Sequence, residues 1–126
     1  MKLNDLLYVT LGACYLVLGM TLGIVMGIRQ DFQLSPVHAH INLVGFAAHC
    51  IFGLVYRSWP SLKQGAMAVA QFWLFVLGSP VLMVGIAVAI LTNNPALAIV
   101  GSMLVILGAL LFLVIVARGL LRSGAA

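Results

Sequence analysis

The chain has 126 residues, of which 64% are apolar and only 6% are charged, and its mean hydropathy is +1.24. A water-soluble domain of this size cannot bury so large an apolar fraction, so the composition indicates an integral membrane protein. The net charge of +4 comes mainly from lysines and arginines outside the apolar runs. It predicts contact with anionic lipid headgroups rather than with nucleic acid.

Four apolar segments follow one another along the chain, at about residues 6–28, 36–55, 66–91 and 95–117. Each is close to or longer than the ~20 residues that cross the hydrocarbon layer of a membrane as a helix. Backbone groups in lipid must be hydrogen-bonded internally, so helices are the expected state. Because the connections are short, we expect an all-α, up-down-up-down bundle of four membrane-spanning helices that forms a single domain over residues 1–126.

The basic residues predict how this bundle is oriented in the membrane. One side has Lys2, Arg57, Lys63, Arg118 and Arg122. The opposite side has only Arg29. Because loops rich in lysine and arginine stay in the cytoplasm, we expect both termini on the cytoplasmic side of a bacterial cytoplasmic membrane. Tyr56 and Trp59 would then belong to the aromatic belt of the cytoplasmic face.

Polar and small residues predict where the helices begin and how they pack. Ser35 is a suitable N-cap and Pro36 suits the first turn, so the second helix should begin there. Residues 92–95 read Thr-Asn-Asn-Pro, which predicts a turn that opens the fourth helix. The first helix carries glycines every four residues, at Gly19, Gly23 and Gly27. This spacing allows another helix to approach closely.

All three histidines lie in the second segment. A regular helix turns by about 100° per residue, so His38 and His40 point about 200° apart. Three residues lie within about 40° of His38 on the same face, namely Asn42, Gly45 and His49. His49 lies about 16 Å deeper than His38, because each residue of a helix rises about 1.5 Å. A single metal ion cannot bridge histidines placed in this way. The pattern predicts separate sites, each completed by another helix or another subunit.

Haem suits such sites, because its iron takes a neutral imidazole as axial ligand and its apolar ring partitions between membrane helices. Ala39 and Gly45 would leave room for a flat ring beside the ligands. In a second interpretation, His38 and His40 only form hydrogen bonds with neighbouring helices or interfacial water. His49 lies at mid-membrane depth, where an ionisable residue is a candidate metal ligand. A neutral ring bonded to a backbone carbonyl fits that position equally well.

Residues 38–48 read His-Ala-His-Ile-Asn-Leu-Val-Gly-Phe-Ala-Ala. This stretch resembles the His-Ala-His motif of NnrS-type membrane haem and copper proteins. It also resembles the ligand-bearing helices of haem-copper oxidase subunit I. In those oxidases, twelve helices form three arcs of four, and the second helix of each arc carries haem or copper ligands. In one of these helices, the two histidines of a His-x-His motif bind two different haems.

The resemblance implies that this chain corresponds to one such arc, and that three copies form a homotrimer of twelve helices. It implies haem b, with copper as a further candidate, held between subunits by His38 and His40, with Asn42 in the same motif. Arg29 is then expected to pair with the haem propionates. The paired copper histidines and the cross-linked tyrosine of the oxidases have no counterpart in this sequence. Electron transfer, or redox or gas sensing, is therefore expected rather than enzymatic oxygen reduction.

The sequence leaves two other functions open. In one, the chain is a non-haem copper or zinc protein, whose metal is held by His38, His40 or His49 from several subunits. In the other, it is a cofactor-free assembly or accessory subunit of an oxidase, with packed histidines. The expected partners are further copies of the chain, membrane lipid and a redox partner that the sequence does not identify.

Overall fold

The computed structural model describes residues 5–123, which form four long helices with short connections. The helices are α1 (Asp5–Arg29), α2 (Ser35–Ser58), α3 (Ala66–Thr92) and α4 (Ala96–Ser123). A 3-10 turn, Pro60–Lys63, lies between α2 and α3. Each of the four helices is long and apolar enough to cross a membrane. This confirms the predicted all-α fold with four helices of membrane-spanning length, and it indicates an integral membrane protein.

The predicted helix bounds agree with the structure within a few residues, except at the end of α4. α2 ends at Ser58 rather than at residue 55, and α4 continues to Ser123 rather than ending at residue 117. Ser35 is the first residue of α2, and its N-cap is Leu34, with no side-chain capping hydrogen bond. The hydroxyl of Ser35 instead donates a hydrogen bond to the carbonyl oxygen of Phe32 at 2.6 Å. Pro36 lies in the first turn, as predicted.

The predicted turn between the third and fourth helices is present. α3 ends at Thr92, and Asn93 has a left-handed backbone with φ of 57°. The side-chain oxygen of Asn94 accepts a hydrogen bond from the backbone N–H of Ala96 at 3.1 Å, at the start of α4. Asparagine tolerates the left-handed conformation and also bonds to nearby backbone groups, which explains why this short polar stretch reverses the chain.

α1 and α2 pack antiparallel through glycines of α1. Gly19 lies against the side chain of Asn42, and Gly23 lies against the ring of His38. The close approach predicted from the glycine spacing is therefore confirmed for two of the three glycines. Around Gly27, the third, no described atom outside the adjacent residues and the nearby backbone of α1 lies within 4 Å of where a Cβ would be.

α3 and α4 also pack antiparallel, along most of their lengths. Gly85 of α3 lies against the backbone of Ala98, and Gly101 of α4 lies against the backbone of Leu82. A Cβ at either glycine would overlap a backbone atom of the other helix. The two backbones are therefore in direct contact, which is the usual role of glycine between membrane helices.

By backbone contacts the four helices form a row in chain order, in which α2 lies next to α1 and α3, and α3 lies next to α2 and α4. Side chains also join α1 to α3, through Tyr8 and Gln71, and α2 to α4, through Phe52 and Phe112. Within residues 5–123, α1 and α4 share no extended contact. The outer helices of the row therefore have apolar faces that the single chain does not cover. Half or more of the side-chain surface is exposed at Leu18, Ile24, Leu110 and Leu113.

An aromatic cluster joins all four helices at the end of the bundle where α1 begins and α2 ends. Its buried members are Tyr8, Phe52, Tyr56, Ala68, Phe72, Phe75 and Ile115. The ring centroid of Phe52 lies 4.1 Å from that of Phe112 in α4 and 4.7 Å from that of Phe75 in α3. Aromatic pairs at these distances contribute beyond the area that they bury, so this cluster is the main core of the chain.

The glycine contacts predict a difference between two otherwise similar substitutions. Gly101→Ala should lower the free energy of unfolding by about 1–3 kcal/mol, because its methyl group would overlap the backbone of Leu82. Gly27→Ala, where the space is open, should leave stability unchanged or slightly raised. Denaturant unfolding of both variants in detergent, followed by circular dichroism, measures the difference. Equal stabilities for the two variants would contradict the direct contact of α3 with α4.

Candidate functional site

The three histidines flank an unusual stretch of α2. The helix is α-helical over Ser35–His40, π-helical over Ile41–Ala48 and α-helical again over His49–Ser58. His38 and His40 stand just before the π-helical stretch, and His49 is the first residue after it. π-helical segments are rare and occur frequently at functional sites, because they displace side chains from their regular α-helical positions. The sequence does not predict this irregularity, because apolar length and composition are the same for a π-helical and an α-helical turn.

The four residues predicted to share one face all contact α1. His38 and Asn42 lie against Gly23 and Gly19, as described above. Gly45 lies against the ring of Tyr15, and the ring of His49 lies 5.3 Å from that of Tyr15. The predicted grouping is confirmed by these contacts, even though the π-helical stretch changes the turn angle between its members.

His38 is held in the groove between α1 and α2. Its Nδ1 lies 2.9 Å from the carbonyl oxygen of Gly19. A carbonyl oxygen can only accept, so Nδ1 carries the proton and Nε2 keeps its lone pair. The side-chain amide of Asn42 donates to the carbonyl oxygen of His38 at 2.8 Å, and lies 3.4 Å from Nε2 of His38. The second N–H of the Asn42 amide therefore donates a longer hydrogen bond to Nε2 of His38, so this nitrogen has a partner within the single chain.

His40 is bonded differently, although it lies only two residues further on. Its Nδ1 lies 2.7 Å from the carbonyl oxygen of Pro36 in its own helix, so it also donates its proton through Nδ1. The ring is partly exposed. His38 is therefore held against α1, whereas His40 is held by the first turn of α2 itself. The two histidines have the same protonation pattern and different surroundings.

His49 is fully buried in a cage of aromatic rings. Its ring centroid lies 5.8 Å from that of Tyr8, 5.3 Å from that of Tyr15 and 5.1 Å from that of Phe75. Its Nδ1 lies 3.0 Å from the carbonyl oxygen of Val44, five residues earlier. Nε2 has no hydrogen-bond partner in the part of the chain that the structure describes. The sequence leaves two interpretations of His49, a metal ligand or a neutral ring bonded to a backbone carbonyl. The structure shows the second for Nδ1.

A group of three buried polar side chains lies next to His49, and the sequence does not predict that they form one group. The side-chain oxygen of Gln71 accepts hydrogen bonds from the hydroxyl of Tyr8 at 2.6 Å and from that of Tyr56 at 3.1 Å. All three side chains are fully buried. The expectation that Tyr56 belongs to an interfacial aromatic belt is therefore wrong, because its hydroxyl is bonded inside the bundle. The sequence offers one signal for this contact, which is the position of the three residues along their helices. Tyr8, Tyr56 and Gln71 each lie within about two turns of the same end of the bundle.

Arg29 ends α1 at the same end of the bundle as the start of α2. It lines a cleft of about 180 Å³ that also includes Asp31 and Gln33. With a rise of about 1.5 Å per residue, Arg29 lies about 9 Å further along α1 than Gly23, which contacts the ring of His38. The side chain is exposed, and the described residues give it no ion pair with Asp31.

The three histidines do not form one metal site within a single chain. Among residues 5–123, no three histidine, cysteine, aspartate or glutamate side chains lie close enough together to hold a metal ion. His38, His40 and His49 are instead three separate positions, and Nε2 of His38 is already in contact with the side-chain amide of Asn42. A histidine that donates Nδ1–H to a carbonyl and presents Nε2 is the arrangement that orients metal-ligating imidazoles in proteins.

Comparison with known proteins gives no relative from which a role for these residues can be taken. No family model, curated protein or solved structure matches the chain. The assignment of the site therefore depends on its geometry and chemistry alone.

We expect the hydrogen bonds that Gln71 accepts from the two tyrosines to contribute measurably to the free energy of unfolding. Gln71→Leu removes the acceptor of two buried hydroxyls and should lower the free energy of unfolding by about 1–3 kcal/mol. Adding Tyr8→Phe and Tyr56→Phe to that variant removes the unpaired hydroxyls and should recover part of the loss. Denaturant titration in detergent measures both effects. A Gln71→Leu variant as stable as the original chain would refute this role.

Proposed function

We propose that this protein binds haem b between copies of the chain, with His38 of one subunit and His40 of the next as axial ligands. The observation that carries the proposal is the shared state of the two imidazoles. Each donates its Nδ1 proton to a backbone carbonyl and keeps a lone pair on Nε2. Neutral imidazole with an available lone pair is the form that ligates haem iron.

Both rings are partly exposed, so a second subunit could reach them. The expected room beside Gly45 is absent, because the side chains of Tyr15 and Met83 fill it. His38 lies on Gly23, where a Cβ would come within 2.9 Å of its ring. The lack of a side chain at this position leaves the ring close to α1, and haem iron would have to displace the Asn42 amide from Nε2 of His38. His40 is preceded and followed by small or apolar residues, Ala39 and Ile41. Bound there, haem would supply a one-electron redox couple within the membrane.

The proposal requires more than one copy of the chain, because each chain offers two ligands with different surroundings. His38 is held against α1 and His40 by the start of α2, so one porphyrin cannot be reached from both sides by the same chain. A second subunit would supply the opposite ligand. The outer helices α1 and α4 have apolar faces that either lipid or a second copy of the chain can cover. Closed rings form when such unlike surfaces meet repeatedly around an axis.

A homotrimer of twelve helices is the assembly that we propose, by similarity of the His-Ala-His stretch and the four-helix row to one arc of haem-copper oxidase subunit I. In this assembly both termini lie in the cytoplasm of a bacterial cell, as the distribution of basic residues predicts. Two histidines on one iron leave no axial position open, which favours electron transfer or redox sensing. Binding of a gas would require that one of the two histidines does not ligate.

The absorption spectrum of the purified protein tests the proposal. The original chain should show a Soret band in detergent, and both His38→Ala and His40→Ala should lose it. His49→Phe, which keeps an aromatic ring in the buried cage, is the control that should retain it. A colourless protein that contains stoichiometric copper or zinc would contradict haem binding. So would a colourless, metal-free protein that still assembles after both substitutions.

Co-expression of two defective chains tests whether the ligands come from different subunits. When differently tagged His38→Ala and His40→Ala chains co-assemble, one interface of each mixed ring pairs an intact His38 with an intact His40. A mixed trimer should therefore bind about one third of the haem of the original assembly. The measurement is the pyridine haemochrome spectrum of protein purified through both tags. Mixed oligomers without any haem would contradict ligation between subunits.

Arg29 provides a separate prediction about the propionates. If its guanidinium pairs with a propionate, Arg29→Gln should keep the Soret band and lower the reduction potential of the haem by tens of millivolts, on the order expected for one charge at about 10 Å. The direction follows because the cation stabilises the reduced, less positive iron. Spectroelectrochemical titration measures the shift. Arg57→Gln, which removes an arginine at the opposite end of the bundle, is the matched control and should leave the potential unchanged.

A further inference from the structure

Two clefts lie side by side at the end of the bundle that is opposite to His38 and His40. The 3-10 turn Pro60–Lys63 packs on α4 there, with the side chain of Leu62 against Gly119. Both clefts include Leu62, Gly119 and the hydroxyl-bearing residue Ser61 in their walls. They are therefore two parts of one surface, separated by the contact between Leu62 and Gly119.

The first cleft is cationic. It has a volume of about 420 Å³, and its polar walls are Ser61, Gln64, Arg118 and Arg122. The two arginines lie one helical turn apart, so they share a face of α4. The sequence has only two acidic side chains. Asp5 is paired with Lys63 at 2.8 Å, and Asp31 lies at the other end of the bundle. No carboxylate side chain of the protein therefore neutralises these two arginines.

The second cleft is apolar. It has a volume of about 370 Å³, and its own walls, apart from the shared residues, are Val55, Trp59, Phe112, Val116 and Leu120. These side chains come from α2, α4 and the segment between α2 and the 3-10 turn. A groove lined in this way, at the end of helices that span a membrane, is at the depth where acyl chains meet headgroups.

We propose that the two clefts together bind one anionic glycerophospholipid. Its phosphate lies between Arg118 and Arg122 and accepts a hydrogen bond from Ser61, while an acyl chain follows the apolar cleft past Trp59. An arginine guanidinium pairs well with phosphate oxygens, and basic pockets between membrane helices are typical sites for anionic headgroups. The absence of an acidic side chain among the described residues of either wall disfavours the ammonium group of a zwitterionic lipid.

The adjoining apolar cleft is the reason to expect a lipid rather than free phosphate. A small anion would use only the cationic cleft, whereas a phospholipid fills both. The site is also separate from the proposed haem site, because it shares no residue with it and lies at the other end of the bundle. The two proposals therefore fail independently.

Fluorescence of Trp59 tests the proposal directly. The chain has two tryptophans, so Trp73→Phe leaves Trp59 as the single emitter. The protein is reconstituted into phosphatidylcholine vesicles that contain brominated phosphatidylglycerol, and into phosphatidylglycerol vesicles that contain an equal fraction of brominated phosphatidylcholine. We expect clearly stronger quenching by the brominated anionic lipid, because it is enriched at the site. Equal quenching by both lipids would overturn the proposal.

Substitutions show whether the stronger quenching by the anionic lipid depends on the two arginines of the cationic cleft. Adding Arg118→Gln and Arg122→Gln should reduce the preference for the anionic lipid by about tenfold or more. Arg57→Gln removes an exposed arginine at the same end that lines neither cleft, and should keep the preference. Loss of the preference in Arg57→Gln alone would contradict a specific site.

Inorganic phosphate, compared with chloride at matched ionic strength, should not change the quenching. If phosphate removed it, the cleft would be a phosphate site and the lipid assignment would be wrong.

Discussion

An imidazole N–H inside an apolar helix bundle needs a hydrogen-bond acceptor, because an unpaired donor there costs several kcal/mol, on the order of a lost hydrogen bond in hydrocarbon. In this protein the acceptor for each of the three histidines is a backbone carbonyl. His38 uses that of Gly19, His40 that of Pro36 and His49 that of Val44. The same constraint therefore determines the proton position on all three rings. In each case the nitrogen left with a lone pair is Nε2.

The carbonyl that each ring reaches depends on packing and on local helix geometry. His38 reaches Gly19 because the glycines of α1 let the ring come close to the backbone of that helix. His49 reaches Val44, five residues earlier, at the end of a π-helical stretch. His40 needs neither a neighbouring glycine nor a π-helical stretch, since its acceptor lies one turn earlier in its own helix. The three rings are therefore directed to different surroundings by three different backbone arrangements.

The two ends of the bundle are built differently. At one end, aromatic rings from all four helices surround the hydrogen bonds between Gln71 and the two tyrosines. At the other end, the start of α2 rests on α1 through glycines, and His40 stays partly exposed. The packed end holds the chain together. The open end presents His38 and His40 in orientations that backbone carbonyls determine, and it is where we propose that a second subunit and haem bind.

The sequence by itself determined the number of helices, their approximate bounds and the polar turn before α4, because apolar length and turn residues act locally. Its α-helical periodicity also placed His38, Asn42, Gly45 and His49 on one face, and all four contact α1, although Ile41–Ala48 is π-helical. The buried contacts of Tyr8 and Tyr56 with Gln71 join residues far apart in the chain, and no local pattern encodes such a contact. The π-helical stretch, the carbonyl that each histidine reaches and the order of the helices in the row were decided only by the tertiary structure. The reason is physical: a hydrogen bond between helices forms only when two separate backbones are packed at the right distance and register.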